Sequence, residues 1–221
     1  MNKKDFVKTA RIYCVLDTQA ADYGRLFDIL DTSADAGIDI FQIRDKTGVS
    51  EEIVSFTRRA LQRLNGRQLF IVNDDIDIAI AAGADGVHLG QEDAGISEAR
   101  QRGGKDFIIG ASCQTLRQAM RAEQNGADYI GFGSVFKTQT KPNRPPMDLH
   151  VLSDVLKKVS IPVFPIGGIT TQNFKTVQDC GAKRVALTRD ICLADDVLKV
   201  VGEWNRIMDR NFNISGQCVL A

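Results

Sequence analysis

The sequence has no surplus of either charge, no apolar run of membrane length and no paired cysteine motif. Its 28 Lys and Arg balance 28 Asp and Glu, so the chain is formally neutral. That argues against a general affinity for nucleic acid or anionic membranes, which needs a basic surplus or patch. No apolar stretch approaches the ~20 residues of a bilayer-spanning helix. The first residues, Met1-Asn2-Lys3-Lys4-Asp5, lack the apolar core of a secretory signal. The expectation is a cytoplasmic protein. The cysteines are Cys14, Cys113, Cys180, Cys192 and Cys218, with no C-x-x-C pair among them. Buried, reduced thiols are expected. Two histidines are too few for a zinc site built on His and Cys. The five prolines all fall between residues 142 and 165, and no linker divides the chain. At 221 residues it can bury one large core as a single domain.

What the chain does have is a repeat. Ala36-Gly37-Ile38-Asp39-Ile40-Phe41, Ala82-Gly83-Ala84-Asp85-Gly86-Val87, Asn125-Gly126-Ala127-Asp128-Tyr129-Ile130 and Cys180-Gly181-Ala182-Lys183-Arg184-Val185 echo one another. Each follows an amphipathic stretch, and its Gly suits a left-handed helix cap. Each runs into a short apolar strand that ends in polar residues. Strand-like runs lie at Ile12–Leu16, Ile38–Ile43, Leu69–Val72, Gly86–Leu89, Phe107–Ile109, Tyr129–Phe132, Val163–Ile166 and Val185–Leu187. Helical spacing lies between them, as at Ser50–Leu64, Thr115–Gln124 and Leu149–Val159, with a last helix from about Asp195 to Asp209. Eight strands alternating with helices predict an α/β protein, a (β/α)8 (TIM) barrel. Its core covers about residues 10–209, with 210–221 as a mobile tail. A doubly wound open sheet is the competitor, but no G-x-G-x-x-G turn supports it. Pro165 sits awkwardly inside a strand run, because proline removes a ladder donor.

A barrel gathers the carboxyl ends of its strands at one mouth. Those ends supply Gln42, Arg44 and Lys46 after strand two, then Asn73, Asp74 and Asp75 after strand three. They supply His88, Glu92 and Asp93 after strand four, and Ser112 after strand five. Thr138, Thr140 and Lys141 follow strand six, Gly167-Gly168 strand seven, and Thr188-Arg189 strand eight. Carboxylates beside strong cations suit a site where a divalent metal meets a polyanion. Mg²⁺ takes one or two carboxylates plus phosphate oxygens, and Arg and Lys neutralise the rest. Salt-bridged rim residues are the plainer alternative. Gly167-Gly168-Ile169-Thr170-Thr171 suits a metal-free phosphate site, because glycines let backbone amides approach an oxyanion. A plain tight turn would use the same residues. His88 fits a hydrogen-bonded core histidine as well as a catalytic one.

Several of these segments resemble one family. Gln42-Ile43-Arg44-Asp45-Lys46, Val72-Asn73-Asp74-Asp75, Gly86-Val87-His88-Leu89-Gly90-Gln91-Glu92-Asp93, Val135-Phe136-Lys137-Thr138-Gln139-Thr140-Lys141-Pro142 and Ile166-Gly167-Gly168-Ile169 closely resemble the motifs of the thiamine-phosphate synthases. The likeness runs in order over roughly residues 10–200. It implies a (β/α)8 barrel and a transferase of thiamine biosynthesis. Such an enzyme joins hydroxymethylpyrimidine diphosphate to a thiazole phosphate, or its carboxylate, and releases pyrophosphate. It implies that Gln42, Arg44, Lys46, Asn73 and Lys141 hold the pyrimidine diphosphate, with Ser112 close by. Ile43, Asp45 and Gln139 belong to the same substrate-binding segments. Asp74 and Asp93 would bind Mg²⁺, one per subunit. Thr138, Thr140, Gly167, Gly168, Thr188 and Arg189 would take the thiazole phosphate. Arg44, Lys46, Ser112 and Lys141 would assist a dissociative loss of pyrophosphate. The partners implied are these small molecules, with no nucleic acid and no membrane; assembly as a homo-oligomer is left open.

The sequence also departs from the family pattern. Cys113-Gln114 stand where relatives often have a small residue and then His. That counts against a related thiazole tautomerase, which needs the His. Thr188-Arg189 replace an apolar residue and Ser, and Lys183-Arg184 replace an acid and Gly. Besides the tautomerase, a non-catalytic phosphate-binding barrel is the other reading carried forward.

Overall fold

A computed structural model describes residues 2–138 and 146–216, with side chains as far as residue 208. Gln139, Thr140, Lys141 and Cys218 lie outside the described residues or side chains.

The chain opens with a short helix, α1 (Lys3–Thr9), and then alternates. The strands are β1 (Ile12–Asp17), β2 (Ile40–Arg44), β3 (Leu69–Asn73), β4 (Gly86–Leu89), β5 (Ile108–Cys113), β6 (Tyr129–Phe132), β7 (Val163–Pro165) and β8 (Val185–Leu187). Between them run α2 (Tyr23–Ser33), α3 (Ser50–Leu64), α4 (Ile76–Ala82), α5 (Ile96–Gly103), α6 (Leu116–Gln124), α7 (Leu149–Lys158) and α8 (Phe174–Asp179). A one-turn helix, α9 (Arg189–Cys192), and a long one, α10 (Val197–Gly216), follow. The repeat glycines Gly37, Gly83, Gly126 and Gly181 all have positive φ, between 75° and 102°. A side chain at those positions would strain the exit from each helix.

The strands form one parallel sheet in the order β7-β6-β5-β4-β3-β2-β1-β8. β7 and β8 meet without a ladder, so the barrel is nearly closed. That gap explains Pro165. Ile166 N–H donates to Phe132 on β6 at 3.0 Å. Donors alternate sides along a strand, so the one missing at Pro165 faces β8, where no ladder forms.

Alternation also separates two cores. Ile12, Cys14 and Leu16 face the helices, whereas Tyr13 and Val15 face the barrel interior with Ile71, Tyr129 and Phe164. α1 closes the amino-terminal end of the barrel, where Phe6 and Val7 pack on the inner cluster. Lys3 and Lys4 reach Asp85 and Asp128 at 2.8 and 3.0 Å. These aspartates belong to the repeat, and each also accepts a backbone N–H of an adjoining strand: Asp85 from Phe70, Asp128 from Ile109 and Asp39 from Ile12. In the fourth repeat Arg184 instead donates to the carbonyls of Lys8 and Ala10 at the end of α1. Lys183-Arg184 is thus a feature of the closed end, remote from the mouth.

Two expectations need correction. β5 runs on through Gly110, Ala111 and Ser112, because pairing with β4 and β6 overrides their low strand preference. The helix expected to stop near Asp209 continues to Gly216, so residues 210–216 extend α10. No described helix is long and apolar enough to cross a membrane.

Candidate active site

Two adjoining cavities occupy the mouth. The larger, about 260 Å³, lies between the ends of β5 to β8. The smaller, about 70 Å³, reaches into the barrel interior and is lined by residues of all eight strands. Ser112, Gly131, Ile166, Ala186 and Thr188 line both, so the two are contiguous.

The smaller cavity gathers Gln42, Arg44, Asn73 and Ser112 from three strands, β2, β3 and β5. Arg44 is 8% exposed, and its guanidinium donates to Asp17 at 2.8 Å and Gln19 at 3.3 Å. Asp17 lies directly opposite on β1. This buried pair fixes the guanidinium; breaking it would strand a charge in low dielectric. His88 is buried and bonded on both ring nitrogens, to Tyr129 at 3.1 Å and to Ser112 at 2.9 Å.

Lys46, Asp74 and Asp93 stand on the rim beside this cavity. Lys46 pairs with Asp74. Asp74 holds a left-handed backbone, φ 66°, and its N–H donates to His88 carbonyl at 2.8 Å. Such a conformation in a non-Gly residue costs energy and persists where the surroundings impose it. Asp93 accepts the Gly90 N–H at 2.6 Å. Burial and the neighbouring Asp74 carboxylate push the Asp93 carboxyl above the usual range. Two crowded carboxylates favour a cation between them. Among the described residues no third His, Cys, Asp or Glu joins them. The donor set therefore suits Mg²⁺ completed by ligand oxygens.

The larger cavity brings together Ser112, Thr138, Gly167, Gly168, Thr188 and Arg189. Gly167 and Gly168 have φ of 104° and 64°, and a Cβ at Gly168 would come within 2.5 Å of the Lys137 carbonyl. Only glycine lets these two loops approach so closely. Asn173 braces the turn, donating to Gly168 carbonyl at 2.8 Å and accepting Thr170 N–H at 2.9 Å. Val135 and Phe136 N–H groups donate to the carbonyls of Ile166 and Gly167, stitching the β6 loop to the β7 loop. Lys137 and Arg189 also line this cavity, and no other described side chain engages either cation. An anion would be their natural counter-charge.

Not every expected residue reaches the cavities. Ile43 is packed in the outer core, because alternation along β2 turns it away from Gln42 and Arg44. Asp45 organises the loop after β2, accepting from Tyr23 hydroxyl at 2.7 Å and from the N–H groups of Thr47 and Gly48 at 2.8 and 2.7 Å. Burial raises its carboxyl, but these donors outweigh it and hold the group below the usual range. The sequence reading missed Tyr13, Tyr129, Ser134, Lys137 and Asp190, which line one cavity or the other. Ser134, Lys137 and Asp190 lie in polar strand ends, so position alone marks them. The two tyrosines read as ordinary core.

The family model described as thiamine monophosphate synthase matches residues 12–191. The chain is 36% identical over 203 residues to a thiamine-phosphate synthase of Halalkalibacterium halodurans, covering 90% of this chain and 96% of the relative. It is 37% identical over 188 residues to a thiamine-phosphate synthase of Gloeobacter violaceus, covering 85% of this chain and 54% of the relative. Among solved structures, a thiamine phosphate pyrophosphorylase from Pyrococcus furiosus matches with a TM-score of 0.82 at 31% identity, covering 92% of this chain and 97% of its own.

Proposed function

The chain belongs to the thiamine monophosphate synthase family, and from that premise we propose that it transfers a pyrimidinylmethyl group from hydroxymethylpyrimidine diphosphate to a thiazole phosphate, releasing pyrophosphate. The observation that carries this reading is the pairing, at one mouth, of a carboxylate-and-cation rim with an adjoining cavity lined by Lys137 and Arg189, two cations that no other described side chain engages. One half suits a metal-bound diphosphate and the other a metal-free phosphate.

The chemistry follows from where charge develops. As the diphosphate leaves, negative charge grows on its oxygens. Arg44, held by Asp17, and Lys46 stand ready to stabilise that charge more in the transition state than in the ground state. Asp74 and Asp93 would hold Mg²⁺, which supplies Lewis-acid stabilisation of the leaving diphosphate. Lys141 is assigned to the same task by family likeness. The carbon left behind is a pyrimidinylmethyl cation, and the thiazole nitrogen supplies the electron pair of the new C–N bond. Ser112 lines both cavities, so it lies at the junction where the two substrates would meet. The glycine turn and Arg189 would fix the thiazole phosphate and so align its nitrogen.

The test is pyrophosphate release with Mg²⁺, with and without the thiazole phosphate. Release that requires both substrates and yields thiamine monophosphate supports the reading. No release at saturating substrates overturns it. Within the same assay, Arg189→Ala is expected to raise KM for the thiazole phosphate about tenfold or more, the worth of a charge-assisted contact. KM for the pyrimidine diphosphate should barely move; an equal rise in both would remove Arg189 from the acceptor site.

A further inference from the structure

A continuous hydrogen-bond chain crosses the floor of the smaller cavity. Gln42 Nε2 donates to the Tyr13 hydroxyl at 2.9 Å. The Tyr13 and Tyr129 hydroxyls lie 2.7 Å apart. Tyr129 meets His88 Nδ1 at 3.1 Å, and His88 Nε2 meets Ser112 Oγ at 2.9 Å. The chain thus joins β2, β1, β6, β4 and β5, and all five residues line the same cavity.

The fold makes room for this chain. A Cβ at Gly110 would come within 2.4 Å of the Tyr129 hydroxyl and 2.5 Å of His88 Nδ1. One at Gly131 would crowd the imidazole edge at 3.0 Å. Phe164 packs edge-on against both tyrosine rings, with centroids 5.5 and 5.7 Å away. Burial raises both phenols well above their ordinary range, so each keeps its single proton.

Counting protons gives the chain a direction. Tyr13 accepts from Gln42, so its own proton must go to Tyr129, its other partner. Otherwise that proton would be buried unpaired, which costs about 1–3 kcal/mol. Tyr129 must then donate to His88 Nδ1. An imidazole with a single proton would then carry it on Nε2 and donate it to Ser112 Oγ. At one end the carbonyl oxygen of Gln42 remains as an acceptor. At the other the Ser112 hydroxyl proton remains as a donor, at the junction of the two cavities.

We infer that Tyr13, Tyr129 and His88 are positioning residues: they polarise the smaller cavity so that Gln42 presents an acceptor and Ser112 a donor to one flat substrate. On the synthase reading, that substrate is the pyrimidine diphosphate. The inference rests on the synthase reading for the identity of that ligand, while the polarity of the chain rests on the hydrogen-bond distances, the orientation of the Gln42 amide and a neutral His88.

Nitrogen NMR of the unliganded protein tests the polarity. The two histidines are easily told apart, since His150 is exposed on α7. The expected result is a single Nε2-protonated tautomer for His88 that becomes mixed in Tyr129→Phe. Protonation on Nδ1 in the wild type would reverse the chain and overturn the inference. Kinetics test the consequence. Tyr129→Phe and Tyr13→Phe should each raise KM for the pyrimidine diphosphate about tenfold and leave that for the thiazole phosphate within about twofold. A purely structural role would shift both alike, and an equal shift or none refutes the positioning role. Should one variant fail to fold, the other decides. The NMR result holds whether or not the protein turns over, so it separates failure of this inference from failure of the synthase reading.

Discussion

Asp93→Ala is expected to lower pyrophosphate release at least about a hundredfold while the barrel stays folded. A metal held against the leaving diphosphate contributes several kcal/mol of transition-state stabilisation, and each 1.36 kcal/mol is a factor of about ten. The structural cost is small by comparison. Asp93 is on the rim, where it accepts the Gly90 N–H. Losing it costs about 1 kcal/mol. Relief of the repulsion with Asp74, part of what pushes the Asp93 carboxyl up, acts in the opposite direction. Asp93→Asn sharpens the test, because the amide oxygen can still accept from Gly90 while the charge is gone. If charge is what matters, both variants lose activity alike and both melt near the wild type. Near-normal turnover in either, at saturating substrates and Mg²⁺, would remove Asp93 from the metal site. Unfolding of Asp93→Ala at room temperature would show instead that the β4 loop depends on it.

That rim was legible in the sequence for a simple reason. Short strands end where apolar residues give way to charged ones, and a barrel brings all such ends to one mouth. Asp74, Asp93, Lys46 and Arg44 could therefore be picked out by position. The repeat glycines were equally legible, since their left-handed backbone excludes almost every other residue. What stayed hidden depends on contacts between distant segments. β5 was read as ending at Ile109, because Gly110-Ala111-Ser112 has no apolar signal; its partners on β4 and β6 extend it. Pro165 looked wrong until the missing β7–β8 ladder gave its absent donor a harmless direction. Ile43 was carried along with its neighbours in the motif, although strict alternation on β2 should have turned it outward. Tyr13 and Tyr129 read as core, and they are core. Only the 2.7 Å contact between two hydroxyls 116 positions apart shows that the core there is polar and directional.

Trp204→Ala is expected to cost about 3–5 kcal/mol of stability and to damage only the acceptor half of the site. Trp204 is the single tryptophan and is fully buried on α10. Truncating a buried aromatic removes its transfer energy and leaves a cavity, which sets that range. Its position ties the loss to function. The indole Nε1–H donates to Asp190 at 2.6 Å, and Asp190 lines the larger cavity beside Arg189. The indole ring also meets Phe174 edge-on, with centroids 5.1 Å apart, and Phe174 begins α8 just after the glycine turn. One side chain thus secures both loops assigned to the thiazole phosphate. Burial already raises the Asp190 carboxyl, and the indole opposes that shift. Trp204→Phe keeps most of the packing and removes the donor, so it should cost less, about 1–3 kcal/mol. Both variants should raise KM for the thiazole phosphate severalfold and leave that for the pyrimidine diphosphate unchanged, because Arg44, Asp74 and Asp93 stand on the other side of the mouth. Thermal melting and the two Michaelis constants check this together, and a loss shared equally between the substrates would show that α10 supports the barrel alone. The wild-type indole offers a direct readout: its emission should change on adding the thiazole phosphate and stay constant on adding the pyrimidine diphosphate.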